Sequence, residues 1–296
     1  MNRYNLNFLG RTFLSLALSG TLLGVSCGGL EETQPETIQQ ELLTPPSTTE
    51  LVTLSATTKP TLDEVYRRFT TRKDVRDTIV LSKSGTYDFS GILHIWKGKA
   101  GGCAQLENGS QILRIEADNV IIKNFHFIGD GKTKGSKGLG DPIHIAGCGT
   151  GQGNLCSGTG PRNVTLDGIY GHACEDLMTI GTPGSDNITI QNSYFKPTPS
   201  KSNWDKTIQI NFGSRIKILN NIFAGGERCI RFKPNTQGEV IGNKFYGCNN
   251  AVRASSDDAD IAPMKNGPTR VVYKSNKCYD CDNKVKVSGS KTYVEY

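Results

Sequence analysis

The chain lacks several features that would place it in common functional classes. No apolar run reaches the roughly 18 to 20 residues needed to span a bilayer, and no heptad pattern indicates a coiled coil. No Lys/Arg-rich run or aromatic RNA-binding motif is present, so a nucleic-acid partner is not expected. The pair Cys278-Tyr-Asp-Cys281 has no second CxxC and no histidine pair beside it, which disfavours a zinc or redox site.

The first residues are typical of a bacterial export signal. Basic residues precede an apolar run over 13–25, and small residues follow it at Ser26 and Gly28. We therefore expect residues 1–26 to be removed and the protein to be secreted or carried on the outer surface. The stretch ending at Cys27 also resembles a lipoprotein cleavage box, so a lipid anchor on Cys27 stays open as an alternative.

Residues 27–60 are rich in Thr, Glu, Gln and Pro and lack aromatic residues, which predicts a flexible linker. The net charge of the whole chain is +6. Removing the two arginines of the signal, and the five Glu and one Lys of the linker, leaves +8 for residues 61–296. A basic exported domain favours an acidic glycan as its partner.

Nine cysteines are present, and eight remain if Cys27 is lipidated. An even number in an exported protein favours disulfides. Cys148 and Cys156, across a Gly-rich loop, form the pair that we expect first.

Internal repetition is the strongest pattern in the middle of the chain. Apolar residues alternate within each repeat, then a polar Asn, Gly or Ser follows, and another apolar pair comes after it. Five segments superpose without gaps, and a sixth, weaker one starts at Val271: VIIKNFHF from Val120, VTLDGIYG from Val164, ITIQNSYF from Ile188, IKILNNIF from Ile216 and GEVIGNKF from Gly238.

These repeats predict an all-β fold, a right-handed parallel β-helix over residues 61–296, as one domain. A β-propeller needs longer repeats with four strands each, and a leucine-rich horseshoe with helices needs helical periodicity. The polar residue marks a bend, and asparagines at equivalent bends are expected to form hydrogen-bonded ladders. Residues 62–76 look helical and are expected to cap the end of the stack.

Glu175 and Asp176 lie one coil after Asp141, beside the repeated strands. Residues one coil apart sit about 4.8 Å apart along a β-helix, and three such carboxylates would repel unless a cation neutralised them. Oxygen ligands in an exported protein favour Ca²⁺. The alternative reading is a set of solvated loop charges.

Lys206, Arg228 and Arg231 follow on the next two coils and offer cations to an anionic ligand. Glu227 precedes Arg228, so an ordinary surface ladder of ion pairs remains an alternative.

The segments GDPIHI, CEDLMTI, WDKTIQIN and GGERCIRF resemble the pectate lyases of polysaccharide lyase family three, over about residues 111–255. Members carry D-G-I-H, C-E-D-A-x-T, D-K-x-x-Q-H-N and N-F-G-K-L-Y-R in the same order. This chain departs from the pattern at Pro142 for Gly, at Gly181 for Lys, and at Ile210 for the His that precedes Asn211.

The resemblance implies calcium-dependent cleavage of pectate by β-elimination. Asp141, Glu175 and Asp176 fall on the family's calcium-binding acids. The resemblance also places three catalytic or substrate-binding cations: Lys206 on the lysine of D-K, and Arg228 and Arg231 on the lysine and the arginine of G-K-L-Y-R. We expect Arg231 to act as the base, with Lys206 as the rival base and with Lys206 and Arg228 binding the substrate carboxylate.

Two other hypotheses stay open. Asp141-Pro-Ile-His144 is similar to the Asp-Pro-His signature of alginate epimerases, so a uronan epimerase or lyase is one alternative. A non-catalytic β-helix that binds acidic polysaccharide is the other. Hydrolysis by paired carboxylates is less favoured. His144 is a candidate substrate contact beside Asp141, and a monomer is expected.

Overall fold

The computed structural model describes residue 69 and residues 71–97, 101–102, 111–129, 137–138, 142–146, 159–174, 176–198, 206–259 and 265–296. All of them lie in one compact unit of the chain, Leu43–Tyr296. No helix in these residues is long and apolar enough to cross a membrane. The signal, the linker and the boundary at residue 61 lie outside the described residues and stay predictions.

The described structure is built from β-strands. In chain order they are β1 (Thr71–Val75), β2 (Ile79–Leu81), β3 (Gly85–Asp88), β4 (Ile92–Trp96), β5 (Gly101–Gly102), β6 (Leu113–Ile115), β7 (Val120–Lys123), β8 (His126–Ile128), β9 (Lys137–Gly138), β10 (Ile143–Ile145), β11 (Arg162–Asp167), β12 (Tyr170–Cys174), β13 (Met178–Ile180), β14 (Asp186–Gln191), β15 (Tyr194–Thr198), β16 (Lys206–Ile210), β17 (Ile216–Leu219), β18 (Ile222–Phe232), β19 (Gln237–Ile241), β20 (Lys244–Ser255), β21 (Thr269–Lys274), β22 (Lys277–Tyr279), β23 (Asn283–Ser288) and β24 (Thr292–Glu295).

The strands follow one another around a coil and pair with the equivalent strand of the next coil. The first face runs β1-β4-β8-β12-β15-β18-β20-β22 and the second β2-β6-β10-β13-β16-β18-β20-β23. The third face runs β3-β7-β11-β14-β17-β19-β21-β24. All these pairs are parallel, while β5 and β9 form a separate antiparallel pair. The predicted parallel β-helix is therefore confirmed.

The six repeats fall in register on the third face. Val120 pairs with Val164, and Val164 pairs with Ile188. The later segments continue this alignment, because Ile216 pairs with Gly238 and Gly238 with Val271. Their alternating apolar side chains point inward, and this predicted alignment is confirmed without a shift.

The bend after each of these strands is a residue with positive φ. Asn192 and Asn220 have φ values of 50° and 55°, and Gly242 has 71° at the next coil. Asparagine and glycine tolerate this left-handed conformation better than other residues, which explains why they recur at this position.

Asparagine ladders were predicted at the bends, and the described residues include a buried and an exposed one. Asn221 and Asn243 are fully buried, and each side chain donates from Nδ2 to the Oδ1 atom of the next asparagine, Asn243 or Asn276, at 3.0 Å. A second, exposed ladder joins Asn187 to Asn163 at 2.9 Å. The ladders hold neighbouring coils in register at their corners.

The predicted N-terminal helix over 62–76 is wrong for its last part. Thr71–Val75 forms strand β1 and pairs in parallel with Ile92–Trp96. Backbone pairing with the next coil overrides the local helical preference of this segment. The rest of the expected cap, up to residue 68, lies outside the described residues.

Candidate functional site

The second face places a line of polar side chains on successive coils. Strand β16 shows why, since Ile208 and Ile210 are fully buried in the core while Gln209 between them points the other way. Strand pairing aligns Gln209 with one residue on each of the other coils. We call this line the outer row, and its members are Arg114, His144, Thr179, Gln209, Arg231, Arg253 and Lys286.

Asp176 and Lys206 form an ion pair at one corner of this face. The Lys206 Nζ atom lies 3.3 Å from Asp176 Oδ2, and both residues are buried, at 2% and 8% exposed. The backbone N–H of Lys206 also donates to Asp176 Oδ1 at 3.3 Å. Burial raises the pKa of Asp176 in spite of the nearby charges of Lys206 and Arg231.

Arg228 pairs with Lys206 across the strands and lies beside its neighbour Glu227. The Arg228 Nη2 atom is 3.5 Å from Glu227 Oε1. Burial lowers the pKa of Arg228 below its usual value, and the positive charges of Arg253 and Arg231 lower it further. The Arg228 guanidinium therefore sits where an additional negative charge would be stabilising.

Asp258 joins three cations of the same face. Arg231 donates a short hydrogen bond to its carboxylate, and Lys233 Nζ lies 3.5 Å and Arg253 Nη2 3.8 Å from it. Burial alone would raise the pKa of Asp258, but the hydrogen bond from Arg231 and the charges of the three cations outweigh it and hold the pKa below its usual value. Arg231 also donates from Nη1 to Gln209 Oε1 at 3.3 Å.

These contacts define one group of side chains, which we call the cationic cluster. Among the described residues it has five cations and three carboxylates: Lys206, Arg228, Arg231, Lys233 and Arg253, with Asp176, Glu227 and Asp258. Cations gathered in this way on one face favour binding of an anion, because electrostatic interactions are stronger away from water.

The structure brings together four of the site residues predicted from sequence: Asp176, Lys206, Arg228 and Arg231. Asp141 and Glu175, the other two expected calcium ligands, lie outside the described residues. Within the described part of the chain, no group of three or more His, Cys, Asp or Glu side chains is placed to hold a metal ion. Asp176 itself fits a hard cation, because it is a buried carboxylate whose raised pKa an added positive charge would lower.

His144 lies in the outer row next to Arg114 and Thr179. Its Nδ1 atom accepts a hydrogen bond from the Gln111 side-chain amide at 2.6 Å, and its side chain is buried. Burial, with a contribution from the charge of Arg114, lowers the pKa of His144 to about 4. His144 is therefore neutral at neutral pH, so any substrate contact that it makes is through an uncharged imidazole.

Three members of the cationic cluster were not selected from the sequence. Arg253 had a signal, because it follows Arg231 by one coil in the outer row. Lys233 lies two residues after Arg231 on the same coil, at 0% exposed. Asp258 follows the end of β20, where the repeat pattern gives no register, and no sequence signal pointed to it.

Four of the cysteines in the described part of the chain form two disulfides. Cys229 bonds Cys248 and links β18 to β20 within the face that carries the cluster. Cys278 bonds Cys281, so the CxxC pair is a disulfide in this structure. The expected pair of Cys148 and Cys156 lies outside the described residues.

The fold and this face define the chain as a parallel β-helix protein with a cationic cluster on one face. No family model matches the sequence, and no curated protein matches it. Among solved structures, it is similar to that of the Streptococcus pneumoniae surface protein and adhesin PfbA. The identity is 14% and the TM-score 0.31, over 77% of this chain and 80% of that one. A likeness at that level carries no argument about function.

Proposed function

We propose that the protein is a calcium-dependent pectate lyase that cleaves (1,4)-α-D-galacturonan by β-elimination. The observation that supports this most is the alignment of Asp176, Lys206, Arg228 and Arg231 on neighbouring coils of one face. The disulfides of the described part favour an oxidising compartment, as secretion or display on the outer surface would provide.

The reaction requires charge neutralisation before proton transfer. A base removes the C5 proton of a uronate, the C5–H electron pair forms the C4=C5 double bond, and the C4–O bond breaks with its electrons on the departing oxygen. The C5 proton is acidic enough only when the neighbouring carboxylate is neutralised. Lys206 and Arg228 are the cations that we assign to this carboxylate.

Calcium would share this task. Held by Asp141, Glu175 and Asp176, it would supply Lewis-acid neutralisation of the substrate carboxylate. Asp176 orients the Lys206 ammonium from 3.3 Å, so the same carboxylate would contact both positive charges.

We assign the base to Arg231, with Lys206 as the rival. A guanidinium has to lose a proton before it can act as a base, which is demanding for arginine. Arg231 also donates to Asp258, so this carboxylate competes with the substrate for the same group. Lys206 has the less basic side chain of the two, but it is held by Asp176.

The test is absorbance of the unsaturated product on polygalacturonate, with Ca²⁺ and after chelation with EDTA. We expect activity only with Ca²⁺, and a loss of about 10² to 10⁴ in kcat for Arg231→Ala or Lys206→Ala, whichever is the base. Arg162→Ala is the matched control, because this exposed arginine lies on the third face.

Three outcomes contradict the proposal. Full activity in EDTA points to a hydrolase. A changed uronate ratio without cutting of the chain points to an epimerase. Full activity of both Arg231→Ala and Lys206→Ala excludes these two residues as the base. Melting temperatures of the variants separate a catalytic loss from a folding defect.

A second candidate is a non-catalytic protein that binds acidic polysaccharide. Its support is the burial of the cations, since Lys206 and Arg228 are each 8% exposed and Arg231 is 3% exposed. The ion pairs with Asp176, Glu227 and Asp258 oppose the loss of a proton that a catalytic base requires. Attraction of an anionic ligand does not require that the cations lose a proton. Binding of polygalacturonate without any shortening of the chain, with Ca²⁺ present, would favour this candidate.

A further inference from the structure

The outer row continues past Arg231 on the two following coils. Arg231 pairs with Arg253, and Arg253 pairs with Lys286. Paired strands lie about 4.8 Å apart, so the row places three cations over about 10 Å. Their spacing is set by backbone pairing rather than by flexible loops.

Accessibility increases along these three residues. Arg231 is 3% exposed, the Arg253 side chain is 23% exposed and Lys286 is exposed. A ligand can therefore reach the end of the row at Lys286 without first displacing the ion pairs of the cluster.

Charge balance favours an anion at this end. Within the described part of the chain, Lys286 has no carboxylate at salt-bridge distance, since the ion pairs of the face involve other residues. Among the described carboxylates, Asp258 is the one near Arg253, at 3.8 Å, and Arg253 shares it with Arg231 and Lys233. The Nε atom of Arg253 is buried without a hydrogen-bond partner in the same region.

Amide side chains run beside the cations. Asn250 pairs with Arg228 on one side and with Asn283 on the other. Asn283 donates from Nδ2 to Asn250 Oδ1 at 3.2 Å, and Asn250 donates from Nδ2 to the Glu227 carbonyl at 3.2 Å. Asn283 is exposed, and an amide side chain can exchange hydrogen bonds with a sugar hydroxyl.

We propose that Arg253 and Lys286 extend the site into a binding track for further carboxylates of an acidic polysaccharide, on the two coils after Arg231. The identity of the ligand, a polyuronate, rests on the proposed function. The track makes a distinct claim, because it predicts that affinity depends on the length of the oligosaccharide.

The test measures binding of galacturonate oligomers by calorimetry in EDTA, without turnover. We expect the double variant Arg253→Gln/Lys286→Gln to bind a heptamer about tenfold more weakly than the wild type. Lys286→Gln alone leaves the cluster intact, so it should weaken heptamer binding by a smaller factor and leave the affinity for a trimer bound at the cluster unchanged. The matched control is Arg162→Gln/Lys123→Gln, which removes two exposed cations of the third face. It should bind both oligomers as the wild type does.

The single variant Lys286→Glu keeps the test independent of folding, because Lys286 is exposed and forms no described ion pair. It should weaken heptamer binding more than Lys286→Gln does. Unchanged heptamer affinity in these variants overturns the track, as does an equal loss in the third-face control. Length-dependent binding in a protein that releases no unsaturated product supports the track and overturns the lyase. If the protein is an active lyase but the variants bind the heptamer as the wild type does, the lyase is supported and the track is overturned.

Discussion

At the scale of single residues, Asp258 is the carboxylate that offsets the positive charge of three members of the cationic cluster. Its carboxylate is contacted by Arg231, Lys233 and Arg253, and Lys233 is fully buried. Lys233 Nζ also donates to the Asp258 backbone carbonyl at 3.2 Å. Removing the negative charge would leave these cations to repel one another in a region of low exposure.

We predict that Asp258→Asn lowers the free energy of unfolding by about 2 to 3 kcal/mol at pH 7, because it breaks a largely buried ion-pair network. The difference in unfolding free energy between the wild type and Asp258→Asn should depend on pH. The pKa of Asp258 in the folded protein is below its usual value, so its contribution is full above about pH 4 and is lost as the pH falls through the folded pKa. Urea unfolding at pH 7, 4 and 3 measures this.

Asp257→Asn is the control for this prediction. Asp257 accepts a hydrogen bond from the Ser255 hydroxyl at 2.9 Å, which an asparagine oxygen also accepts. We expect a change of less than about 0.5 kcal/mol. An equal loss of stability in the two variants would contradict the role given to Asp258.

The site residues divide into those that sequence can predict and those that it cannot. Lys206, Arg228 and Arg231 lie on strands, and the coil register places them next to one another. Asp258 lies after β20, where the chain leaves the repeat, so its position depends on a loop path that no pattern encodes. The ion pair of Asp258 with Arg231 therefore could not be predicted from the sequence.

At the scale of the strands and their corners, the buried asparagine ladder fixes how coils stack. Asn221 donates from Nδ2 to the Ile190 carbonyl at 2.9 Å, and its Oδ1 atom accepts from the Ser193 backbone N–H at 3.0 Å. Its own backbone N–H donates to Asn243 Oδ1 at 2.8 Å. One side chain thus satisfies backbone groups of the coil before it that would otherwise be buried without partners.

We predict that Asn221→Ala lowers the free energy of unfolding by about 3 kcal/mol or more, because it leaves the Ser193 N–H and the Ile190 carbonyl without this partner. Thermal or urea unfolding measures the change. The neighbouring Asn220→Gly is the control, since Asn220 is exposed with φ of 55° and Gly242 already occupies the equivalent corner of the next coil.

Asn220→Gly should change stability by less than about 1 kcal/mol, because glycine adopts the same backbone conformation without strain. If Asn221→Ala were equally mild, the ladder would not be a significant stabilising element.

Sequence reasoning succeeded for the strands of the third face and failed at the first strand. Alternating apolar residues with a polar bend encode both strand and register, which is why the repeats from Val120 to Val271 aligned correctly. Thr71–Val75 has an exposed, charged sequence with no such alternation. Its strand conformation comes from pairing with β4, a non-local contact that local propensity does not contain.

At the scale of the whole molecule, all four histidines of the chain lie in the β-helix with lowered pKa values. Burial is the main cause for each, and it lowers the pKa of His126 and of His144 to about 4. In the unfolded chain these groups titrate near 6.5. The unfolded state therefore takes up more protons than the folded state between about pH 6.5 and 4.

Linkage makes the folded protein acid-sensitive in this range. Because the folded pKa values are depressed, the stabilisation is complete above about pH 6.5 and is lost as the pH falls toward 4. We predict that the fall in unfolding free energy between pH 7 and 4.5 is smaller by about 2 kcal/mol in His126→Phe. The phenyl ring keeps the aromatic contacts with Phe69 and Tyr170.

Tyr170→Phe is the control, because it alters the same aromatic group without removing a histidine. Its stability should follow pH with the wild-type slope. A wild-type slope in His126→Phe would show that burial of this imidazole does not make the β-helix acid-sensitive.

The constant strand register has a consequence for how such a surface can diversify. Loops at the corners differ in length from coil to coil, yet Arg231, Arg253 and Lys286 remain aligned. Insertions at corners thus leave the strand positions undisturbed. Because neighbouring coils lie about 4.8 Å apart, a point mutation in the row changes the charge on one coil and leaves the charges on the other coils unchanged. Substitutions in the row therefore change the surface charge of the β-helix one coil at a time.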